Sequence, residues 1–414
     1  MNSVSRKTST HSSTEAQRRL AYFRLAYFKD RRDEILATIR ELVEIESPSD
    51  NKAAVDRIAA AVAHKFSQLG GNVKVDVRVH PAKDFGNHLQ IDFDFAGKSS
   101  AKPVLLLGHY DTVYPLGTLA TMPCRAVGNK LSGPGVLDMK SGIALMLHAL
   151  AALQDWHKQD LHKEARHGGW PRPVTVFLVS DEEVGSDSSR AITESLAKKA
   201  AAVLVLEPSY GLQGAVKTAR KGVGEYLVKV TGRASHAGLD FQKGVNAILE
   251  QARQIEKISS FTDLKKGLTV NVGVVSGGSR TNVVPAEASA QVDVRIARIK
   301  DAAGIDKKMR SLRPFNRKCK VEITGGINRP PMERTAGVAA LYAQAAAIAR
   351  ELGWKLGEAA VGGGSDGNFT ASLGIPTLDG LGAVGDGAHA PHEYILISEL
   401  PRRAALIAGL IEAV

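Results

Sequence analysis

The chain has 414 residues, enough for two to three domains at ~150 residues each. Apolar residues make up 44% and charged residues 23%, which excludes a disordered chain, a collagen and a disulfide-stapled miniprotein. The formal charge of +11 raises nucleic acid or other anions as partners. Residues 1–40 alone hold nine Lys/Arg against four acids, only 5% of residues are aromatic, and no RNA-recognition or helix-turn-helix signature is present. The expectation is therefore a basic tail and a solvated basic surface, with no nucleic-acid partner.

In chain order, Met1 to about Thr14 is Ser/Thr-rich and basic and is expected to be disordered. Leu20–Lys29 reads as an amphipathic helix, with a mitochondrial-type address as the minor alternative. Residues 1–30 are taken together as a basic, flexible extension. No apolar core of a secretory signal follows the charges, and Cys124 and Cys319 are isolated, which suits a reducing compartment. A cytoplasmic location is the expectation. No apolar run reaches the ~18–20 residues of a membrane span, so no membrane is expected.

Ile35, Ile39, Leu42 and Val43 recur at helical spacing, and a second helix runs from a cap near Asp50 to Gly70-Gly71. Val73, Val75, Val77 and Val79 alternate as a half-buried strand, followed by Ile91, Phe93 and Phe95. Three short apolar runs, Val104–Leu107, Val174–Val179 and Ala202–Leu206, suit strands buried on both faces of a mostly parallel sheet. A helix over Ser141–Gln154 lies between the first two. Residues 216–331 then change rhythm to a β-α-β-β-α-β pattern, the composition of a ferredoxin-like α+β module. Helical and α/β rhythm returns at Ala336–Leu352 and Ser398–Val414. The expected organisation is an α/β catalytic domain (31–215 and 332–414) with an inserted domain at 216–331.

Each buried run ends in polar residues. His109-Tyr-Asp111 follows the first, Asp181-Glu182-Glu183 the second and Glu207-Pro208 the third. Gly133-Pro-Gly-Val-Leu-Asp138 opens the intervening helix, and His389-Ala-Pro-His392-Glu393 lies in a late Gly-rich loop. Open α/β sheets bind ligands at these strand ends. A solvated loop explains each group singly. Gathered together, such carboxylates would repel one another without a cation, and imidazole with carboxylate suits zinc or manganese. Asp138, Glu183, Glu207 and one hydroxide would balance two Zn²⁺, with two neutral His completing the ligands. Glu182, beside a ligand, is the natural proton shuttle, and Asp111 could accept the His109 ring proton.

These motifs, with Ala234-Ser-His236-Ala-Gly, resemble the series of the glutamate carboxypeptidase / aminoacylase family of zinc metallopeptidases. The resemblance spans about Ile35–Val414 and is closest to the glutamate-cleaving carboxypeptidase G type. It implies a zinc-peptidase-like catalytic domain with an inserted lid and dimerisation domain, hence a homodimer. It also implies two Zn²⁺ per subunit, with Co²⁺ or Mn²⁺ as possible substitutes. Asp138 would bridge, Glu183 and His389 would hold one ion, and His109 and Glu207 the other. Glu182 would be base then acid, a cis peptide would follow Asp138, and His236 and Asn282 would be lid residues. Arg295 and Arg329 match positions for a substrate carboxylate, and Gly363 lies in a Gly-rich loop near the ligand. His389 is preferred to His392 because it stands four residues before Glu393. The implied reaction is hydrolysis of an amide, releasing a C-terminal amino acid such as glutamate from a small N-acyl, peptidyl or folate-like substrate. The alternatives are an acetylornithine- or succinyl-diaminopimelate-type deacylase and, more distantly, a non-catalytic anion- or nucleic-acid-binding protein.

Overall fold

A computed structural model describes residues 21–69, 73–95, 101–158 and 172–414. The chain folds into two compact units. The second comprises Ala219–Glu333 and Val361–Gly364, and the first contains the other described residues.

The first unit opens with helical residues 21–30. Phe28 is fully buried in the main core, and Tyr27 and Phe28 stand edge-on to Trp156 at centroid distances of 5.7 and 6.0 Å. This corrects the expectation of a flexible extension as far as residues 21–30 are concerned. Residues 1–20 lie outside the described residues, as does the Gly70-Gly71 helix end. Helix α1 (Arg32–Val43) buries Ile35, Ile39, Leu42 and Val43, the stripe expected from their spacing. Helix α2 (Lys52–Ser67) is capped by Asn51, not Asp50, because the Asn51 side chain accepts from the Ala54 N–H at 3.0 Å.

The sheet of this unit contains β1 (Lys74–His80), β2 (His88–Asp94), β3 (Val104–His109), β4 (Val174–Val179), β5 (Ala202–Val205) and a short strand at Thr377–Leu378. The spatial order is β1-β2-β4-β3-β5-Thr377, antiparallel at β1/β2 and β2/β4 and parallel elsewhere. β1 is an edge strand and Val79 is exposed, so its valines are less covered than their alternation suggests. β3, β4 and β5 are buried throughout. Val104 and Leu106 join one hydrophobic cluster, while Leu105 and Leu107 join another, as period-2 alternation in a doubly covered strand requires.

Helix α3 (Ser141–Lys158) follows the Asp138 loop, and α4 (Arg190–Lys199) precedes β5. The helical stretch Val136–Trp156 is long and apolar enough to cross a membrane, contrary to the run-length expectation, but 78% of its most apolar window is buried inside the protein. It serves as a core helix.

The second unit is a four-stranded antiparallel sheet of β6 (Gly222–Thr231), β7 (Thr269–Gly277), β8 (Glu287–Ile296) and β9 (Lys320–Arg329), ordered β7-β8-β6-β9. Helices α5 (Ala247–Ser259) and α6 (Ala302–Arg310) lie between its strands in sequence, giving the β-α-β-β-α-β order. Ile258 of α5 and Ile305 and Met309 of α6 share one core cluster with Tyr226, Val228, Val292 and Val294. Val361–Gly364 joins this unit because the Lys221 N–H bonds to the Val361 carbonyl at 3.0 Å. The chain closes the first unit with α7 (Ala336–Glu351) and α8 (Leu400–Ala413). Residues Leu400–Ile411 of α8 are almost all buried.

Candidate metal centre

The carboxyl ends of β3, β4 and β5 carry the polar residues that the sequence placed there. His109 is the last residue of β3, Glu182 and Glu183 form a tight turn after β4, and Glu207 follows β5. Asp138 comes from Val136–Lys140, an irregular helical turn in which Asp138 itself is non-helical (φ −113°, ψ 96°). The Asp138–Met139 peptide is cis. Gly135 enters this turn at φ +70°, where a Cβ would also come within 2.6 Å of Thr112, so glycine is needed. His389 holds φ +61°, unusual for a residue with a side chain.

The His109 ring is buried. Its Nδ1 lies 3.0 Å from the Asp111 carbonyl and 3.4 Å from the Asp111 carboxylate, which holds the proton on Nδ1. The other ring nitrogen, Nε2, faces Asp138 Oδ1 at 3.1 Å and Glu207 Oε1 at 3.3 Å, and these carboxylates favour the charged ring against the opposing effect of burial. His389 Nε2 lies 3.1 Å from Glu183 Oε2 and 3.4 Å from Asp138 Oδ2. The two Asp138 oxygens thus face different imidazoles. Ligand atoms of His109, Asp138 and Glu183 lie within 4.8 Å of one another, and so do those of His109, Glu182 and Glu207. His389, rather than His392, is the imidazole that joins Asp138 and Glu183.

The electrostatics follow from this crowding. Burial, with Asp138 alongside, pushes Glu183 up to about 7. Hydrogen bonds to Asp138 and Glu183 push His389 up to about 11 against the opposing effect of burial. Burial opposes the charge of Asp138, but the His109 and His389 rings hold its pKa below the usual carboxylate range. Protons and divalent ions compete for the same lone pairs, and three carboxylates crowded around two imidazoles form a donor set suited to cations. Its all-nitrogen-and-oxygen character fits zinc or manganese and excludes a thiolate centre.

Supporting groups are well defined. Asp111, fully buried, accepts from Ser49 Oγ at 2.7 Å and from the N–H groups of Glu182 and Glu183 at 3.3 and 3.2 Å. Asp181 accepts from the Ser188 N–H and from the Ser188 and Ser189 hydroxyls at 2.6–2.8 Å, which ties down the turn carrying Glu182. Sequence reasoning passes over Tyr114, whose hydroxyl bonds to Glu393 across 279 positions of chain. No local pattern reveals such a pair.

A family model described as peptidase family M20/M25/M40 matches residues 105–413. The chain belongs to that family. Carboxypeptidase G2 of Pseudomonas sp. (strain RS-16) is 32% identical over 394 residues, covering 92% of this chain and 89% of that protein. Among solved structures, the M20 family metallo-carboxypeptidase Sso-CP2 from Sulfolobus solfataricus superposes with a TM-score of 0.70 at 17% identity, over 92% of this chain and 98% of that one. The Bacillus subtilis YXEP protein, described as a dinuclear metal binding peptidase of the M20 family, gives 0.65 at 14% identity, over 93% and 98%. At these identities the structures speak to the fold, which is that of M20 peptidases.

The remaining candidate residues of this M20-family hydrolase lie in the second unit. Ser235–His236 and Val283–Val284 form a two-stranded ribbon that sets His236 beside the Asn282 segment. His236 Nδ1 accepts from the Gly238 and Leu239 N–H groups, both at 3.1 Å, so its proton resides on Nε2. Arg295 is held by Asp293, with Nε 3.0 Å from both carboxylate oxygens. Arg329 is buried, and a Cβ on Gly364 would approach its Cδ to 3.2 Å. Arg220, which no motif marked, is also buried and donates to the Gly363 and Gly364 carbonyls at 3.3 and 3.0 Å.

Proposed function

We propose that this M20-family peptidase is a zinc-dependent amidohydrolase that releases a C-terminal amino acid, glutamate in the first instance, from an N-acyl or peptidyl substrate. The observation that carries this reading is the Asp138 carboxylate, with one oxygen 3.1 Å from His109 and the other 3.4 Å from His389, two rings that in turn face Glu207 and Glu183. That is the arrangement of a group shared by two cations. His109 and Glu207 would hold one ion, His389 and Glu183 the other, and Asp138 both. Ions held there supply the positive charge that polarises the scissile carbonyl and acidifies a water.

The chain's own groups do the rest. Glu182 removes a proton from the attacking water as the new carbon–oxygen bond forms, then delivers it to the amide nitrogen as the carbon–nitrogen bond breaks. Asp111 holds the Glu182 and Glu183 backbone and the His109 tautomer. His236, with its proton on Nε2, is assigned the hydrogen bond to the developing oxyanion, and Asn282 supports it. Arg329 and Arg295 are assigned the terminal carboxylate of the substrate, for which a planar guanidinium is well suited. Similarity to carboxypeptidase G2 supports the carboxypeptidase direction of cleavage. A homodimer through the second unit is also proposed, supported by the edge strand β7 with its exposed Val274 and Val275. Light scattering showing only a monomer would refute it.

The test is glutamate release from a panel of N-acyl-glutamates, folate, dipeptides ending in Glu, and acetylornithine, with zinc and with chelator. Chelator-sensitive glutamate release is expected. Turnover of acetylornithine alone would move the enzyme to the deacylase branch. Glu182→Gln should retain metal while turnover falls by roughly 10²- to 10⁴-fold. Full activity in that variant would refute the assigned base.

A further inference from the structure

Glu393 is fully buried, yet it is no candidate ligand. Its Oε1 accepts from the Leu137 and Asp138 N–H groups at 2.6 and 2.9 Å. Its Oε2 accepts from the Gly135 N–H at 3.1 Å and from the Tyr114 hydroxyl at 2.6 Å. The Tyr114 hydroxyl also lies 3.0 Å from the carbonyl of Ala390, the residue after His389. One carboxylate and one phenol therefore touch three separate segments. Tyr114 stands five residues beyond His109, the N–H groups belong to the Asp138 turn, and Glu393 shares the loop of His389.

We propose that Glu393, with Tyr114, is a positioning residue that couples the His109, Asp138 and His389 segments, so that the two halves of the metal centre are formed or lost together. This rests on the reading above that the site holds two ions. The reasoning is geometric. The Asp138 turn is irregular: its Val136 and Lys140 N–H groups bond to the Gly133 and Gly135 carbonyls, whereas the Gly135, Leu137 and Asp138 N–H groups take Glu393 as their acceptor. Because Asp138 faces both imidazoles, a rotation of its turn alters the distance to His109 and to His389 at once. Glu393 also anchors the far end of the loop in which His389 holds its positive φ. Gln has the same shape, but its NH₂ would oppose the backbone N–H or Tyr114 donors on one side of the group.

The experiment is chelator competition for zinc on full-length protein, without turnover, resolving both equivalents. Wild type should bind two. Glu393→Gln should weaken both equivalents together, by about 10- to 100-fold. Tyr114→Phe, which removes only the hydroxyl and is the informative variant should the first fail to fold, should weaken both by a smaller factor. Glu250→Gln is the control for generic damage. Glu250 is another buried carboxylate, accepting from the Phe315 and Asn316 N–H groups in the second unit, and its loss should leave zinc affinity unchanged. Wild-type affinity in both site variants, or loss at one equivalent only, would overturn the coupling. A wild-type protein that binds no zinc would instead overturn the metal reading and this inference with it.

Discussion

Gly142 is the second residue of α3, and its absent side chain makes room for the strand end that carries Glu207. A Cβ there would lie 2.2 Å from the Leu206 carbonyl oxygen and 2.8 Å from the Met139 methyl. An unstrained carbon–oxygen contact needs about 3.2–3.4 Å, so Gly142→Ala demands a relative movement of about 1 Å between α3 and the Leu206–Glu207 segment. Leu206 has little freedom to yield, because its N–H is bonded to the Leu107 carbonyl at 3.0 Å and a Cβ on Gly382 would meet the same oxygen, also at 2.2 Å. Overpacking of this kind costs about 1–3 kcal/mol. A displacement of about 1 Å at Glu207, which stands 3.3 Å from His109, also exceeds the ~0.2 Å tolerance of metal–ligand distances. The assay is thermal denaturation together with zinc content and kcat/KM. The expected result is a lower Tm, weaker zinc retention and a loss of activity on the order of 10²-fold. Gly304, inside α6 with nothing within 4 Å of its would-be Cβ, provides the contrast, and Gly304→Ala should stabilise by about 0.4–1 kcal/mol. A Gly142→Ala protein as stable and as active as Gly304→Ala would refute the steric reasoning.

Two further outcomes follow from buried cations and imidazoles. His148, on α3, bonds to Thr38 Oγ1 at 3.0 Å, and burial, aided by Lys65 and Arg31, pulls its pKa down to about 4. The unfolded chain takes up that proton near 6.5, so the stabilisation is complete above pH 6.5 and is lost as pH falls toward 4, by about 3 kcal/mol in all. Urea titrations of wild type and His148→Gln should converge across that window, and parallel pH profiles would contradict the assignment. Arg403 is fully buried and donates to the Gly382, Gly214 and Gly380 carbonyls at 2.8, 2.9 and 2.5 Å. Arg403→Met leaves three acceptors unmet and should cost about 3–5 kcal/mol by denaturant midpoint, with a change below about 1 kcal/mol counting against the clamp.

Most of the site is legible in the sequence because its chemistry follows a simple positional rule. A doubly buried strand shows as an apolar run, and the polar residue that ends the run must lie at the sheet's carboxyl edge. His109, Glu182, Glu183 and Glu207 stand out in that way, and Asp138 and His389 by their glycine-rich settings. The same rule is blind to partners that meet only in space. Tyr114 and Glu393, or Arg403 and its carbonyls, are joined by loops whose paths no local pattern encodes. The aromatic stretch before Asp30 reads from its charges as an extension, yet Phe28 and Tyr27 bury against Trp156, a residue 128 positions or more away. Val361–Gly364 joins the second unit by backbone bonding that composition does not reveal.

The chain supplies the side chains of the proposed metal centre in two instalments, with the whole second unit synthesised between them. His109 through Glu207 precede it, whereas His389 and the buried helix α8 come after. At ~5–20 residues per second, the roughly 180 residues from Glu207 to His389 take about 10–40 s to emerge from a ribosome. During that interval Asp138 and Glu183 lack the imidazole that balances them, and α3 lacks the helix that covers it. In the proposed centre, acquisition of the full ion complement would wait until residue 389 is made, and a nascent chain stalled before it would hold at most half of that centre.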